Sequence, residues 1–365
     1  RGLAYLAMNR PELAFADFES TLRYKPNEPG ALYGRAVARE RRGDQAGAEV
    51  DLAAARSINN AMVGRMSGLG VIRGPYAAGT DDLALCKAAV PNRDIYQGTL
   101  FCSRALSAAG LSASDKSQAH MFFGTLHRDR RHFDEAQGHY DEAIKLNASF
   151  AQLYVERGLS YQMNNNLDRA IESYDQAIRI DGNIALAFFN RAGAYRDKGQ
   201  LDAAIKDLSD AIRANPQYAA AFQNRGLVYA DKGQYAQAIE DAGQSVRLRP
   251  GNPIPLNTRC WILGNAGKAR EAIPDCDMAL SIQPNFYEAL DSRAYAYLRL
   301  QNYAAAIRDF DAALSLKPDL APSLFGRGVA KIRSGNAADG NADIGAAAKI
   351  NPAIAETMGK LGIAP

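Results

Sequence analysis

Large apolar and small residues recur along this chain in a pattern that repeats every 34 residues. With units opened at 151, 185, 219, 253, 287 and 321, position 4 is large and apolar: Tyr154, Phe188, Phe222, Leu256, Leu290 and Leu324. Position 8 is small and follows an arginine, as in Arg157-Gly158, Arg191-Ala192, Arg225-Gly226, Arg259-Cys260, Arg293-Ala294 and Arg327-Gly328. Positions 20 and 27 are small as well, from Ala170 and Ala177 in the first of these units to Gly340 and Ala347 in the last. The pattern predicts two amphipathic helices per unit. Small residues at 8, 20 and 27 let the paired helices and the next unit approach closely. Gly199, Gly233, Gly267 and Gly335 at position 15 end the first helix in a left-handed conformation. Pro216, Pro250, Pro284, Pro318 and Pro352 at position 32 close the second.

The register extends upstream through Arg1-Gly2, Arg35-Ala36 and, without its arginine, Phe123-Gly124. Residues 1–72 align without a gap onto 293–364, with "GRAVARERRGDQAG" (34–47) against "GRGVAKIRSGNAAD" (326–339). We therefore expect 1–72 to be the tail of a first array: a partial repeat, a repeat and a capping helix. "GVIRGPYAAGTDD" (70–82) has a linker composition, and the junction is placed at 73–78. A degenerate repeat follows at 79–116, then seven repeats at 117–354 and a capping helix at 355–365.

The stretch "AFFNRAGAYRDKGQLDAAIKDLSDAIRANP" (187–216) carries nearly the whole pattern of a known family. Here the chain resembles the tetratricopeptide repeat family, over 1–62 and 117–354 with a weaker copy between. Its "NRG" and "AIxD" forms are similar to bacterial arrays, those of alphaproteobacteria in particular. The resemblance implies an all-α fold, a right-handed α-solenoid whose concave face binds extended peptides or partner helices.

All four cysteines fall 16 residues apart in two pairs, Cys86/Cys102 and Cys260/Cys276. Position 8 lies on the first helix and position 24 on the second, where most units pair a small residue with a larger one, as in Gly158/Tyr174 and Ala192/Leu208. Cys260 and Cys276 occupy both positions. Placing Cys86 at position 8 puts Cys102 at 24, and "CSRAL" (102–106) then overlays "CDMAL" (276–280). The first helix of that degenerate unit is cut short by Pro91. Buried thiols would suit such sites, but we expect a disulfide across each hairpin, and with it an oxidising, exported compartment such as a periplasm rather than the cytoplasm. Two cysteines alone do not close a zinc site.

One residue earlier, Arg at position 7 is matched by Asp at 23: Arg1/Asp17, Arg35/Asp51, Arg191/Asp207, Arg225/Asp241, Arg259/Asp275, Arg293/Asp309 and Arg327/Asp343. Arg157 faces Ser173. Phe123 and Leu85, which replace the arginine, face His139 and Phe101. The joint gain and loss predicts a ladder of structural Arg–carboxylate bridges inside or between hairpins.

Net charge is +3, and no Lys/Arg block suggests nucleic acid or a membrane surface. No apolar run reaches the roughly 20 residues of a membrane span. No phosphate loop, HExxH or GxSxG occurs, so neither catalysis nor a cofactor is expected. The four histidines, His120, His127, His132 and His139, share one unit. His120 and His127 take positions that carry packing aromatics, two turns apart on one helix, and we read them as structural rather than as metal ligands.

In the family that this chain resembles, groove positions 2, 5, 6, 9, 12 and 13 of the first helix meet the ligand. Carried onto this sequence they include Phe189, Asn190, Arg196, Gln223, Asn224, Asp231, Asn257, Trp261, Asp291 and Tyr295. Asn190 and Asn224 stand where family members hydrogen-bond a peptide's main chain, since a carboxamide both donates and accepts. Trp261 is expected as an exposed aromatic anchor. The family's clamp for chaperone C-termini needs Lys or Arg at position 5, where this chain has Val155, Phe189, Gln223, Asn257 and Asp291.

The leading expectation is thus a non-enzymatic scaffold for a protein or peptide partner. The alternatives are an accessory region of an enzyme whose catalytic domain precedes residue 1, since the chain opens inside a helical pattern, and a self-associating array.

Overall fold

In a computed structural model the described residues are 1–7, 10–68, 80–91, 95–108 and 110–365. The junction at 73–78 lies outside them. All regular secondary structure among the described residues is helical. Two compact units are present, Arg1–Gly182 and Asn183–Pro365, and their boundary falls inside the run of repeats at 117–354.

The first unit contains α1 (Gly2–Ala7), α2 (Pro11–Tyr24), α3 (Pro29–Arg41), α4 (Gln45–Gly68), α5 (Thr80–Ala89), α6 (Ile95–Ser107), α7 (Ala113–Asp129), α8 (Phe133–Leu146), α9 (Ala151–Met163) and α10 (Leu167–Ile180). Helix α4 breaks at Asn59, whose φ of −154° and ψ of 87° are not helical. The break falls where the sequence expects a repeat to give way to its capping helix. One core runs from Leu6 and Phe18 through Tyr33, Leu52, Cys86 and Phe101 to Leu126.

The second unit contains α11 (Ala185–Asp197), α12 (Leu201–Ala214), α13 (Ala219–Asp231), α14 (Tyr235–Leu248), α15 (Pro253–Asn265), α16 (Ala269–Ile282), α17 (Tyr287–Arg299), α18 (Tyr303–Leu316), α19 (Ala321–Arg333), α20 (Ala337–Ile350) and α21 (Ile354–Lys360). Consecutive helices pair as hairpins. First helices of adjacent repeats also touch, α13 on α15, α15 on α17 and α17 on α19, while no such contact joins the second helices. First helices therefore form the inner layer of an α-solenoid and second helices the outer. Helix α21 packs on α19 and α20 and closes that layer at its end.

Small residues act as expected. A Cβ on Gly158 would meet the Tyr174 ring at 2.5 Å, and one on Gly328 would meet the Gly340 carbonyl oxygen at 2.7 Å. The turn after each first helix needs positive φ, and Gly43, Gly199, Gly233, Gly267 and Gly335 supply it at 72° to 99°. Three units reach the same conformation without glycine, at Arg131, Asn165 and Gln301.

Candidate functional site

The site is built on a frame that the Arg–Asp ladder sets. Arg191 meets Asp207 through two bonds of 2.7 Å, and Arg35, Arg225, Arg259, Arg293 and Arg327 make the same two-pronged contact with their aspartates. Asp51, Asp207, Asp241, Asp275, Asp309 and Asp343 are all buried. The ladder also runs between repeats. A third nitrogen of Arg293 reaches Asp277 at 2.7 Å, one of Arg327 reaches Asp311 at 2.7 Å, and one of Arg225 reaches Ser209 at 2.9 Å, each on the second helix of the preceding unit. Arg157, the exception, donates to Ser173 at 3.3 Å and to Asp141 at 3.2 Å. These side chains are committed to the frame, and hydrogen bonding to Asp309 pushes the Arg293 guanidinium further up from its already high value.

Where the ladder lapses, other contacts replace it. His139 stacks on Phe123 at 4.3 Å between ring centres, and its Nδ1 lies 3.1 Å from that of His120. One imidazole donates and the other accepts, which suits a neutral pair. Burial first, then His120 and His127, lowers His139 to about 4. In the degenerate hairpin the ion pair moves: Arg104 on α6 meets Asp82 on α5 at 3.0 Å, both buried. Disulfides join Cys86 to Cys102 and Cys260 to Cys276, with Cα atoms 4.8 Å and 5.6 Å apart.

The groove residues expected from sequence all lie in the second unit, on the inner helices α11, α13, α15 and α17. Arg196 and Asp231 pair with each other across adjacent repeats at 2.8 Å. Gln223 donates to Thr258 at 3.0 Å. Phe189 lies against Tyr218, ring centres 5.0 Å apart. Asn190 Nδ2 and Asn257 Oδ1 are buried without a hydrogen-bond partner, and Asn224 is half-buried.

Trp261 is half-buried rather than exposed, resting on the cluster of Ala230, Ala238, Ala242 and Ile262. Its ring borders two cavities. One, of about 270 Å³, is shared with Leu227, Asn257, Glu288, Asp291 and Ser323. The other, of about 230 Å³, is shared with Asn265, Arg299 and Met358. Tyr295 is buried, its hydroxyl donating to the Pro322 carbonyl at 2.5 Å, so it backs the second cavity instead of standing free in the groove. Part of Asp291 stays open to the first cavity. Protein surrounds the rest, and this desolvation pushes its carboxyl up to about 6 against the Ser323 hydrogen bond. The sequence placed Asp291 in the groove but carried no signal for that environment, because Ser323 lies 32 residues away.

Among the described residues no helix is long and apolar enough to cross a membrane. Known proteins agree with this architecture. Family models described as tetratricopeptide repeat match residues 1–61 and 123–183, 219–252, and 287–320, and one described as TPR repeat matches 192–233. Together they span more than half of the chain. No curated protein matches it in sequence. Among solved structures, a tetratricopeptide repeat protein from Parabacteroides merdae is 18% identical with a TM-score of 0.57, over 67% of this chain and 96% of that one. The APC/C hetero-tetramer Cut9–Hcn1 is 15% identical with a TM-score of 0.56, over 92% of this chain and 63% of that one. Yeast Tom70 is 14% identical with a TM-score of 0.50, over 98% and 86%. At these identities the likeness is one of fold. The matched repeats and the stacked hairpins together place this chain in the tetratricopeptide repeat family.

Proposed function

We propose that this chain is an interaction scaffold, and that the inner layer of its second unit holds an extended segment of a partner protein. The observation that carries this reading is the pair of unpartnered amide atoms on that layer, Asn190 Nδ2 and Asn257 Oδ1. A buried polar atom without a partner costs about 1–3 kcal/mol, and a peptide main chain offers both the donor and the acceptor that would relieve it. The cavity beside Trp261 adds an aromatic wall for a side chain of that segment.

Substituting Asn190, Asn224 and Trp261 together by Ala is expected to abolish partner capture while helix content and thermal unfolding stay near wild type. Undiminished recovery of the partner would remove the groove from consideration. The cross-linked cysteines favour an oxidising compartment of a bacterial cell, such as the periplasm. Alkylation at lysis followed by digestion without reduction should recover Cys86–Cys102 and Cys260–Cys276 peptides still linked, whereas alkylated thiols would argue for the cytosol.

A further inference from the structure

We propose that the cavity between Trp261 and Asp291 receives a basic side chain, lysine or arginine, of the segment bound in the groove; the proposal rests on the groove reading above. The walls have the chemistry of such a side chain. Leu227 and Leu320 line the cavity beside the Trp261 ring and suit an aliphatic stem. Hydroxyls of Thr258, Tyr287, Ser292 and Ser323 line it too, but the charged side chains on its wall, Glu288 and Asp291, are both carboxylates. The Asp291 carboxylate accepts from Ser323, and among the described residues no cation pairs with it. Glu288, one turn earlier on α17, lines the same space, and Asn257 Oδ1 is buried there without a donor.

The nearby cations do not pair with Asp291. Arg299 donates to Asn265 at 2.6 Å and to the Leu361 carbonyl at 3.0 Å, on the side of the second cavity. Lys317 stands at the rim of the first, over the Tyr287 ring, 5.2 Å from its centre. A guanidinium or ammonium entering the cavity would gain a charge-assisted hydrogen bond and a cation–π contact with Trp261. Of the groups facing Asp291, those on α15 and α19 (Asn257, Thr258, Trp261 and Ser323) are neutral, and those on its own helix are Tyr287, Glu288, Ser292, Tyr295 and Arg299. An incoming cation therefore meets an ionised Asp291 at pH 7. Below about pH 6 a proton must leave first, so affinity falls about tenfold per pH unit there.

The test is selection of random dodecapeptides displayed on phage against the intact chain, with binding followed by the fluorescence of its single tryptophan. Selected peptides should share one obligatory Lys or Arg. Replacing that residue by norleucine, or Asp291 by Asn, should each weaken binding at least tenfold. Binding should weaken from pH 7 to pH 5 in the wild type and hold steady in D291N. Peptides that need Asn190 and Asn224 but carry no basic residue, or that ignore both substitutions, would overturn the proposal and leave the groove reading standing. If no selected peptide depends on Asn190 or Asn224, both are overturned.

Discussion

The hairpins at 79–112 and 253–286 carry the same cross-link between positions 8 and 24, yet each is secured differently around it. In 253–286, Arg259 grips Asp275 next to Cys260–Cys276. In 79–112 those positions hold Leu85 and Phe101, and the ion pair has moved to Asp82–Arg104. Both hairpins also contain a misplaced proline. Pro91 follows α5, which has 10 residues where the first helices of the repeats from 151 onward have 13, and Pro274 lies inside α16. The two cross-links are thus found where a proline follows a shortened helix and where a proline removes a hydrogen bond inside another. The repeat tolerates a shortened or proline-bearing helix when that helix is tied covalently to its partner, and the ion pair is a second tie, kept in place in 253–286 and shifted in 79–112.

The largest expected effect comes from untying the weaker hairpin. Closing a loop of 16 residues is worth roughly 3 kcal/mol in the chain-entropy model. Replacing Cys86 and Cys102 by Ser should therefore unfold α5 and α6 locally, read as fast amide exchange across 80–107. The matching change at Cys260 and Cys276 should leave α15 and α16 largely protected, because Arg259–Asp275 remains. Equal losses in both hairpins would show that Arg259–Asp275 is no second tie.

The second expectation addresses the proline. Pro274 is exposed, so Pro274→Ala restores one backbone hydrogen bond without disturbing a packed surface. It should stabilise the second unit by up to about 3 kcal/mol and cancel the small loss of α16 protection that follows replacement of Cys260 and Cys276 by Ser. A loss of unchanged size in the Pro274→Ala background would show that the link serves packing rather than the proline defect.

Much of this was legible in the sequence. The 34-residue period gave the hairpins, and the joint appearance of Arg and Asp gave the ladder's arm within each repeat. A bridge between hairpins was also expected, but its partners were not legible, because Asp277 and Asp311 belong to the preceding unit and the matching position is Ser209 in another. The relocated Asp82–Arg104 pair was hidden for a similar reason: each partner alone reads as a surface charge. In the groove, the family resemblance implied Trp261, Asp291 and Tyr295 on the inner helices, but depth is set by α19 and α21 packing beside them, and no local pattern reports that.

The two units should also respond oppositely to acid. His139 is lowered from 6.5 to about 4 by burial and by its neighbouring histidines. Between those values the unfolded chain binds a proton that the folded unit refuses, so α7 and α8 lose stability as pH falls. Asp291 is raised from 3.8 to about 6. There the folded unit holds a proton that the unfolded chain releases, so acidification relieves α17 over that window. Amide exchange at pH 7 and pH 5 should show protection falling around α7–α8 and not around α17, and His139→Phe should flatten the first response. A parallel fall in both units would show that neither group governs the pH dependence.

The smallest effect sharpens the comparison at the turns. Gln301 and Asn165 take φ of 59° and 58° where sister repeats use glycine. A side chain in that conformation crowds its Cβ against the following carbonyl at a cost of about 1–2 kcal/mol, and Asn bears it best because its short amide bonds locally. Glycine removes the crowding but gives the unfolded chain more freedom, which offsets part of the gain. Gln301→Gly should therefore stabilise its hairpin by about 0.5–1 kcal/mol, and Asn165→Gly should be close to neutral. Local exchange in α17–α18 and α9–α10 separates the two. Equal gains would mean that Asn165 is crowded like any other side chain and that the turn selects for glycine alone.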